Sequence, residues 1–243
     1  MVHFSLGVRY FCYITFLMIC LDLKAGDIPS SKDAKSQTIM LPYVLKPWQT
    51  RTSVSLSFTR LPVDWVETSV QVPIVQVRNK LGFPAGFTLE SSIQTILVSN
   101  QLRSGPHWNF EKGWFSFGVG FDAAILYGKM SISGFDNRAY GWCTYPSISI
   151  GFTINDIAFT LSGEYSILQS LKMTSGDAEI SESRNFKSGQ TLSLFMEQKF
   201  WKHHVLTLGF INNFQKFYFL TWPAFSTFNR RYYIPQFYIG LVL

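Results

Sequence analysis

The sequence predicts an all-β chain folded as a transmembrane, antiparallel, up-and-down β-barrel of about ten strands, with eight or twelve as alternatives. Three observations predict it. Composition is the first: of 243 residues, 47% are apolar and 17% aromatic but only 15% charged, where soluble domains carry about 25% charged residues. Such a chain has little with which to cover a water-facing surface, and one this rich in aromatics is not disordered. Spacing is the second. Apolar residues recur at every second position between Ser, Thr, Gly and Gln, and the runs of about 18 apolar residues that helical membrane spans need are missing from the sequence. The third is the makeup of the polar face. A strand face in bulk water carries Lys, Glu and Arg, whereas here it is chiefly small, which suits a crowded lumen with the long and aromatic residues turned toward lipid. A soluble barrel with an apolar interior has the same period but is disfavoured by that face.

Residues 1–25 read as an export signal: Arg9 near the start, an uncharged core over 10–21 and the small Ala25 at a cleavage point. A membrane anchor is disfavoured because the core is shorter than the roughly 20 residues that span a bilayer. A lipoprotein box at Leu17-Met18-Ile19-Cys20 has Ile19 where a small residue belongs. Residues 26–36, with Pro29, Ser30 and Ser31, form a polar leader, and 37–243 form the barrel. Cleavage removes Cys12 and Cys20, so Cys143 stands alone and forms no internal disulfide. The net charge of +6 is scattered rather than gathered on one face, which argues against a nucleic-acid partner.

The strands follow in order. Over 52–59, Val54, Leu56 and Phe58 oppose Ser53, Ser55, Ser57 and Thr59, the two faces of one strand. The pattern weakens over 66–77. It returns as Phe87, Leu89, Ile93 and Leu97 against Thr88, Glu90, Ser92 and Gln94, and as Phe115, Phe117, Val119 and Phe121 against Ser116, Gly118, Gly120 and Asp122. Residues 146–154 and 157–167 alternate on either side of Asn155-Asp156, which predicts a hairpin. Weaker alternation covers 191–200 and 204–211, and the last strand sets Tyr233, Phe237, Ile239, Leu241 and Leu243 against Gln236, Tyr238, Gly240 and Val242.

With its export signal, its strands of about ten residues with alternating faces, its Trp48, Trp65, Trp114, Trp142, Trp201, Trp222, Tyr232 and Tyr233 near strand ends and its amphipathic final strand, the chain resembles the bacterial outer-membrane β-barrel superfamily. The resemblance is architectural and covers 37–243. It implies a place in the outer membrane of a Gram-negative bacterium, a lipid bilayer around the barrel, and the barrel assembly machinery as a partner that reads the C-terminal strand. That strand usually ends in an aromatic residue, and this one ends in Leu243.

Such barrels alternate long outer loops with short periplasmic turns and have even strand numbers. Reading back from the C-terminus gives a long connection at 214–231, a short one at 201–203, a long one at 169–188, a short one at 155–156 and a long one at 129–145. A turn at 103–113, a loop at 79–86 and a short turn at 60–64 follow, for nine strands. An even count takes the tenth from 37–46, where Ile39, Leu41, Tyr43 and Leu45 are in phase. The loop at 169–188 either solvates the rim or binds a partner, with solvation favoured. The aromatic loop at 214–231 is read as two strands carried beyond the bilayer, with folding into the mouth or taking an apolar ligand as the alternatives.

Lumen parity collects Arg51, Glu67, Glu90, Asp122, Glu164, Glu197 and Lys199 on the inner face. Charges lining a lumen tune the passage of ions and polar solutes, so the first functional expectation is passive transport of small solutes through a narrow, porin-like channel. The second is a non-conducting barrel, its interior filled, with an envelope-structural or surface-binding role. An outer-membrane hydrolase is the third and least favoured. Catalysis needs a His beside a Ser or carboxylate, yet His203 and His204 fall at a short turn and His107 in the turn at 103–113, so no catalytic residue is expected. Neither is a metal, since adjacent His203 and His204 point to opposite faces of a strand, nor any other cofactor.

Overall fold

The computed structural model describes residues 37–62, 71–132, 135–154, 156–176, 178–201, 204–224 and 230–243. The expected signal segment and leader, Glu67 and Trp65 lie outside the described residues. Ten strands follow one another: β1 (Thr50–Arg60), β2 (Gln71–Gly82), β3 (Phe87–Thr95), β4 (Ser99–Lys112), β5 (Phe115–Ile132), β6 (Phe135–Ile154), β7 (Ile157–Ser175), β8 (Ala178–Trp201), β9 (His204–Gln215) and β10 (Tyr232–Val242). Each pairs antiparallel with the next, and β10 returns to β1 in the register Ser53↔Val242 to Thr59↔Gln236, which closes the sheet. Closure leaves no lateral edge through the paired zone, the one arrangement in which strands satisfy their backbone groups within hydrocarbon.

The period-two pattern is oriented as expected. Ser53 and Ser57 on β1 are 0% and 2% exposed, whereas Leu56 and Phe58 between and beside them are 37% and 40% exposed. The same outward row continues around the wall through Val75, Leu89, Leu102, Val119, Ile148, Leu161, Leu194, Phe210 and Phe237. The expected hairpin forms, with Ile154 opposite Ile157.

The count of ten is right, but the tenth strand is not the expected one. Residues 37–46 form no strand. They enter the lumen at the end where β1 begins and β10 finishes, here the near end, and residues 37–43 are all buried. β1 already pairs directly with β10 and β2, so the wall has no slot for this segment, and surroundings on every side hide the one-face burial that its alternation suggests. The missing strand is β4, placed where a turn at 103–113 was expected. Gly105 and Pro106 imitate a turn in the sequence, and pairing with β5 lapses at these two residues between Ser104↔Ala123 and His107↔Gly120 without a change of register.

Replacing one strand by another shifts the sides of the first connections. The connection after Arg60 lies at the far end, and the tight one around the 3-10 helix Pro84–Gly86 lies at the near end, the reverse of the expected assignment. Two expected loops are largely strand as well. The β5–β6 hairpin continues to Ile132↔Phe135 and the β7–β8 hairpin to Ser175↔Ala178, while β5 leaves β4 after Gly128 and β8 meets β9 only from Gly189. A four-stranded sheet thus rises at the far end. Its β8 edge extends 11 residues beyond β9, over 178–188, roughly 35 Å along the strand.

Candidate functional site: an occluded polar lumen

Two segments of the chain enter the lumen, one from each end. At the near end Glu197 on β8, 1% exposed, receives the N-terminal insert as a helix cap would. The Ile39 N–H donates to its Oε1 (2.7 Å), the Met40 and Leu41 N–H groups to its Oε2 (both 3.0 Å), and the Thr207 hydroxyl to Oε1 (3.3 Å). Lys80 Nζ donates to the Leu41 carbonyl (3.4 Å), and the Tyr43 hydroxyl lies within hydrogen-bonding reach of Arg51. The segment thereby finds in the wall side chains what a ladder would have given its backbone. Its apolar side chains fill the space left by small wall residues. Ile39 and Met40 pack with Phe195, Val205, Tyr238 and Val242, and Leu41, Tyr43 and Leu45 pack with Ala158. A Cβ on Gly118 or Gly151 would collide with Pro42 or Leu41.

At the far end the chain turns inward after Gln215. The 3-10 helix Phe219–Ala224 lies in the mouth, where Phe217, Phe219 and Trp222 pack with Ala124, Leu126, Ala139, Cys143, Leu168 and Leu171. Trp222 sits over Gly128, where any side chain would meet the indole. This overturns the expectation that residues 214–231 merely prolong two strands, and Trp222 is buried rather than an interfacial anchor. Apolar side chains here escape water by covering one another, and the inward faces of β5, β6 and β7 at this height are apolar enough to receive them.

Between the two stops lies a polar cavity of about 170 Å³, floored by Met40 and roofed by Phe217, Tyr218, Phe219 and Leu220. One side of it is a ladder of paired charges. Lys80 meets Glu90 at 2.8 Å and Arg78 meets it at 3.8 Å. His107 stands between Glu90 (3.7 Å) and Asp122 (2.9 Å). Arg103 donates through Nε to Asp122 (2.7 Å) and through Nη2 to both Asp122 and Glu164 (2.5 Å), with its guanidinium 4.6 Å from the centre of the Tyr145 ring. Gly105 lets β4 approach so closely that a Cβ there would strike the Asp122 carboxylate. The other side carries amides and hydroxyls that bond one another, as in Thr191 to Asn213 (2.9 Å) and Ser166 to Gln215 (2.7 Å).

Of the expected lumen residues, Glu90, Asp122 and Glu164 converge on this cavity. Glu197 and Arg51 face the near-end insert instead. Lys199, near the end of β8, is exposed and joins neither group. Four residues that complete the ladder, Arg78, Lys80, Arg103 and His107, are absent from the expected set because Arg78 fell just past the expected strand 66–77 and the other three in expected connections, where strand parity is not applied. Continuing the period from Gln76 through residues 78 and 80, and from Gln101 through 103 and 107, places all four on the inner face. Chemically the ladder is braced rather than poised: both nitrogens of His107 face carboxylates, so the imidazole is engaged before any substrate arrives.

No known protein-family profile matches the chain, and no curated protein does. Among solved structures the chain is similar to Neisserial surface protein A, at 10% identity over 80% of this chain and 96% of that one (TM-score 0.36). It is similar to KdgM porin at 12% identity over 78% and 97% (TM-score 0.38), and to outer membrane phospholipase A of Escherichia coli at 10% identity over 85% and 94% (TM-score 0.37). These are bacterial outer-membrane β-barrels of differing function.

Proposed function

We propose that the chain is an exported outer-membrane barrel of a Gram-negative envelope that is closed to solutes as folded, and that it serves the envelope through its outer surface and far-end sheet rather than as an open pore. The carrying observation is the pair of stops: residues 37–45 at the near end and 217–222 at the far end occupy the lumen over the small residues that an open channel would leave bare. The continuous outward row of Phe, Leu, Ile and Val supports a lipid surround, since a soluble protein seldom exposes an apolar belt of that extent. Export through residues 1–25, and insertion by the barrel assembly machinery acting on β10, belong to the same reading.

Purified full chain in planar bilayers tests it. The expected record is silent, and discrete channel steps would overturn the closed reading in favour of passive transport. One observation favours that second reading: the cavity between the stops is polar and charge-lined, as a solute path would be. Under it Glu90→Gln and Glu164→Gln would change the cation preference of the steps.

A further inference from the structure

We infer that the cavity between the two inserts is a binding site for a small, neutral, polyhydroxylated molecule of the size of a monosaccharide or cyclic polyol. The inference rests on the closed-barrel reading, because the two stops supply the floor and the roof of the site.

Size comes first. A buried water needs roughly 10–15 Å³ of such volume, so about 170 Å³ holds on the order of a dozen waters. That is too little for a large ligand, whose pockets run from about 300 Å³ upward, and enough for one small polar molecule. Charge comes second. Three permanent cations line the cavity, Arg78, Lys80 and Arg103, against three carboxylates, Glu90, Asp122 and Glu164. Each is already paired within the ladder, and His107 is shared by two of the carboxylates. An entering ion would have to break a pair and leave a buried charge uncompensated, which is strongly unfavourable. An uncharged solute avoids that cost.

Polarity comes third. Gln94, Ser147, Ser162, Thr191 and Asn213 present amides and hydroxyls to the cavity. An apolar occupant would displace water from these groups without replacing its hydrogen bonds, whereas a polyol offers a donor and an acceptor at every hydroxyl. The roof completes the match, since Phe217, Tyr218 and Phe219 line the cavity and add apolar surface for the C–H groups of a sugar ring.

The test titrates myo-inositol and D-glucose, as neutral probes, and inorganic phosphate and calcium chloride, as charged ones, into detergent-solubilised full chain by calorimetry. The expected result is saturable binding of at least one neutral probe and none of either charged probe. Ser162→Phe, which fills the cavity from β7, abolishes it, and Gln94→Leu, which keeps volume but removes an amide, weakens it about tenfold. Heat-modifiable mobility in electrophoresis identifies folded variants, and Gln94→Leu decides the matter if Ser162→Phe does not fold. Failure of both neutral probes to saturate, preferential binding of phosphate or calcium, or binding indifferent to Gln94→Leu would overturn the proposal, the first of these meaning a cavity that holds only water. Bilayer recordings on the same preparation separate the two readings: silence without binding removes the site alone, whereas channel steps remove the closed barrel on which it rests.

Discussion

Arg103 joins two carboxylates from different strands, Asp122 on β5 and Glu164 on β7. Arg103→Met leaves Glu164 without its cation and Asp122 with His107 alone. Breaking a buried pair from one side costs about 3–5 kcal/mol, because the remaining charge is left without a partner, so the variant should unfold at markedly lower urea in lipid vesicles. Adding Asp122→Asn and Glu164→Gln to it should recover most of the loss, and a triple variant as unstable as Arg103→Met would sink the explanation. Arg103→Lys is not equivalent, since an ammonium lacks the planar fork that reaches two acceptors at once. Glu197 poses a purer hydrogen-bond question. Its carboxyl group accepts from three successive N–H groups and a hydroxyl. Glu197→Gln turns one acceptor into an NH₂ aimed at donors and leaves buried N–H groups unmet, for a loss of about 1–3 kcal/mol. Amide exchange at Ile39, Met40 and Leu41 should accelerate in step with it.

Among the elements, the far-end hairpin of β7 and β8 differs from the rest of the wall because its outward side chains are charged and exposed. There the Glu182 carboxylate accepts from Arg184 (Nε 2.8 Å, Nη2 2.6 Å), with Lys172 at 4.0 Å. The hydrogen bond from Arg184, followed by the charges of Arg184 and Lys172, holds the Glu182 carboxyl below its ordinary value of 4.5. A depressed carboxylate contributes fully above the unfolded value, and that contribution fades as pH falls from 4.5 through the lower folded one. Because the pair is exposed, salt weakens it. A carboxyl NMR titration should give a midpoint below 4.5 that moves back toward it in Arg184→Gln or in high salt; an unmoved midpoint in Arg184→Gln would refute the assignment. The same contrast between wall and water explains what the sequence discloses. Where an apolar face turns outward and a polar one into a crowded lumen, as in β1, β5, β6 and β10, alternation is forced and legible. It blurs in β4, whose inward Arg103, His107 and Asn109 look like loop polarity and whose Gly105-Pro106 looks like a turn. It misleads at 37–46, since alternating Ile39, Leu41, Tyr43 and Leu45 satisfy a strand template although the wall is already closed without them. The acids of the site were legible because their strands were phased; the bases were not, because Arg78, Lys80, Arg103 and His107 fell where no phase was assigned. Aromatic character at 217–222 says that these residues avoid water and leaves open whether lipid or lumen receives them.

At the scale of the whole molecule the two stops act in series, and series resistances give a sharper expectation than a single gate. Current through a tube blocked at both ends is set by whichever block remains. A chain lacking residues 1–48 removes the near-end insert with its contacts to Glu197, Lys80 and Phe195, yet keeps Phe217, Phe219 and Trp222 in the mouth. Replacing 217–229 by a Gly-Ser linker does the reverse, because such a linker is flexible and has no apolar face to seat. Both single variants should therefore stay silent in planar bilayers, while the double variant should show discrete steps. Its strands still close through β1 and β10, and the freed lumen is lined by Ser, Thr and the paired charges, so the path is wet. The truncation should also cost more stability than the linker, because the former takes from Glu197 the three N–H groups of Ile39, Met40 and Leu41 and leaves it the Thr207 hydroxyl, whereas the latter mainly uncovers apolar surface at the mouth. If either single variant conducts like the double, the insert that it retains does not seal the lumen, and closure would have to be assigned to one end alone.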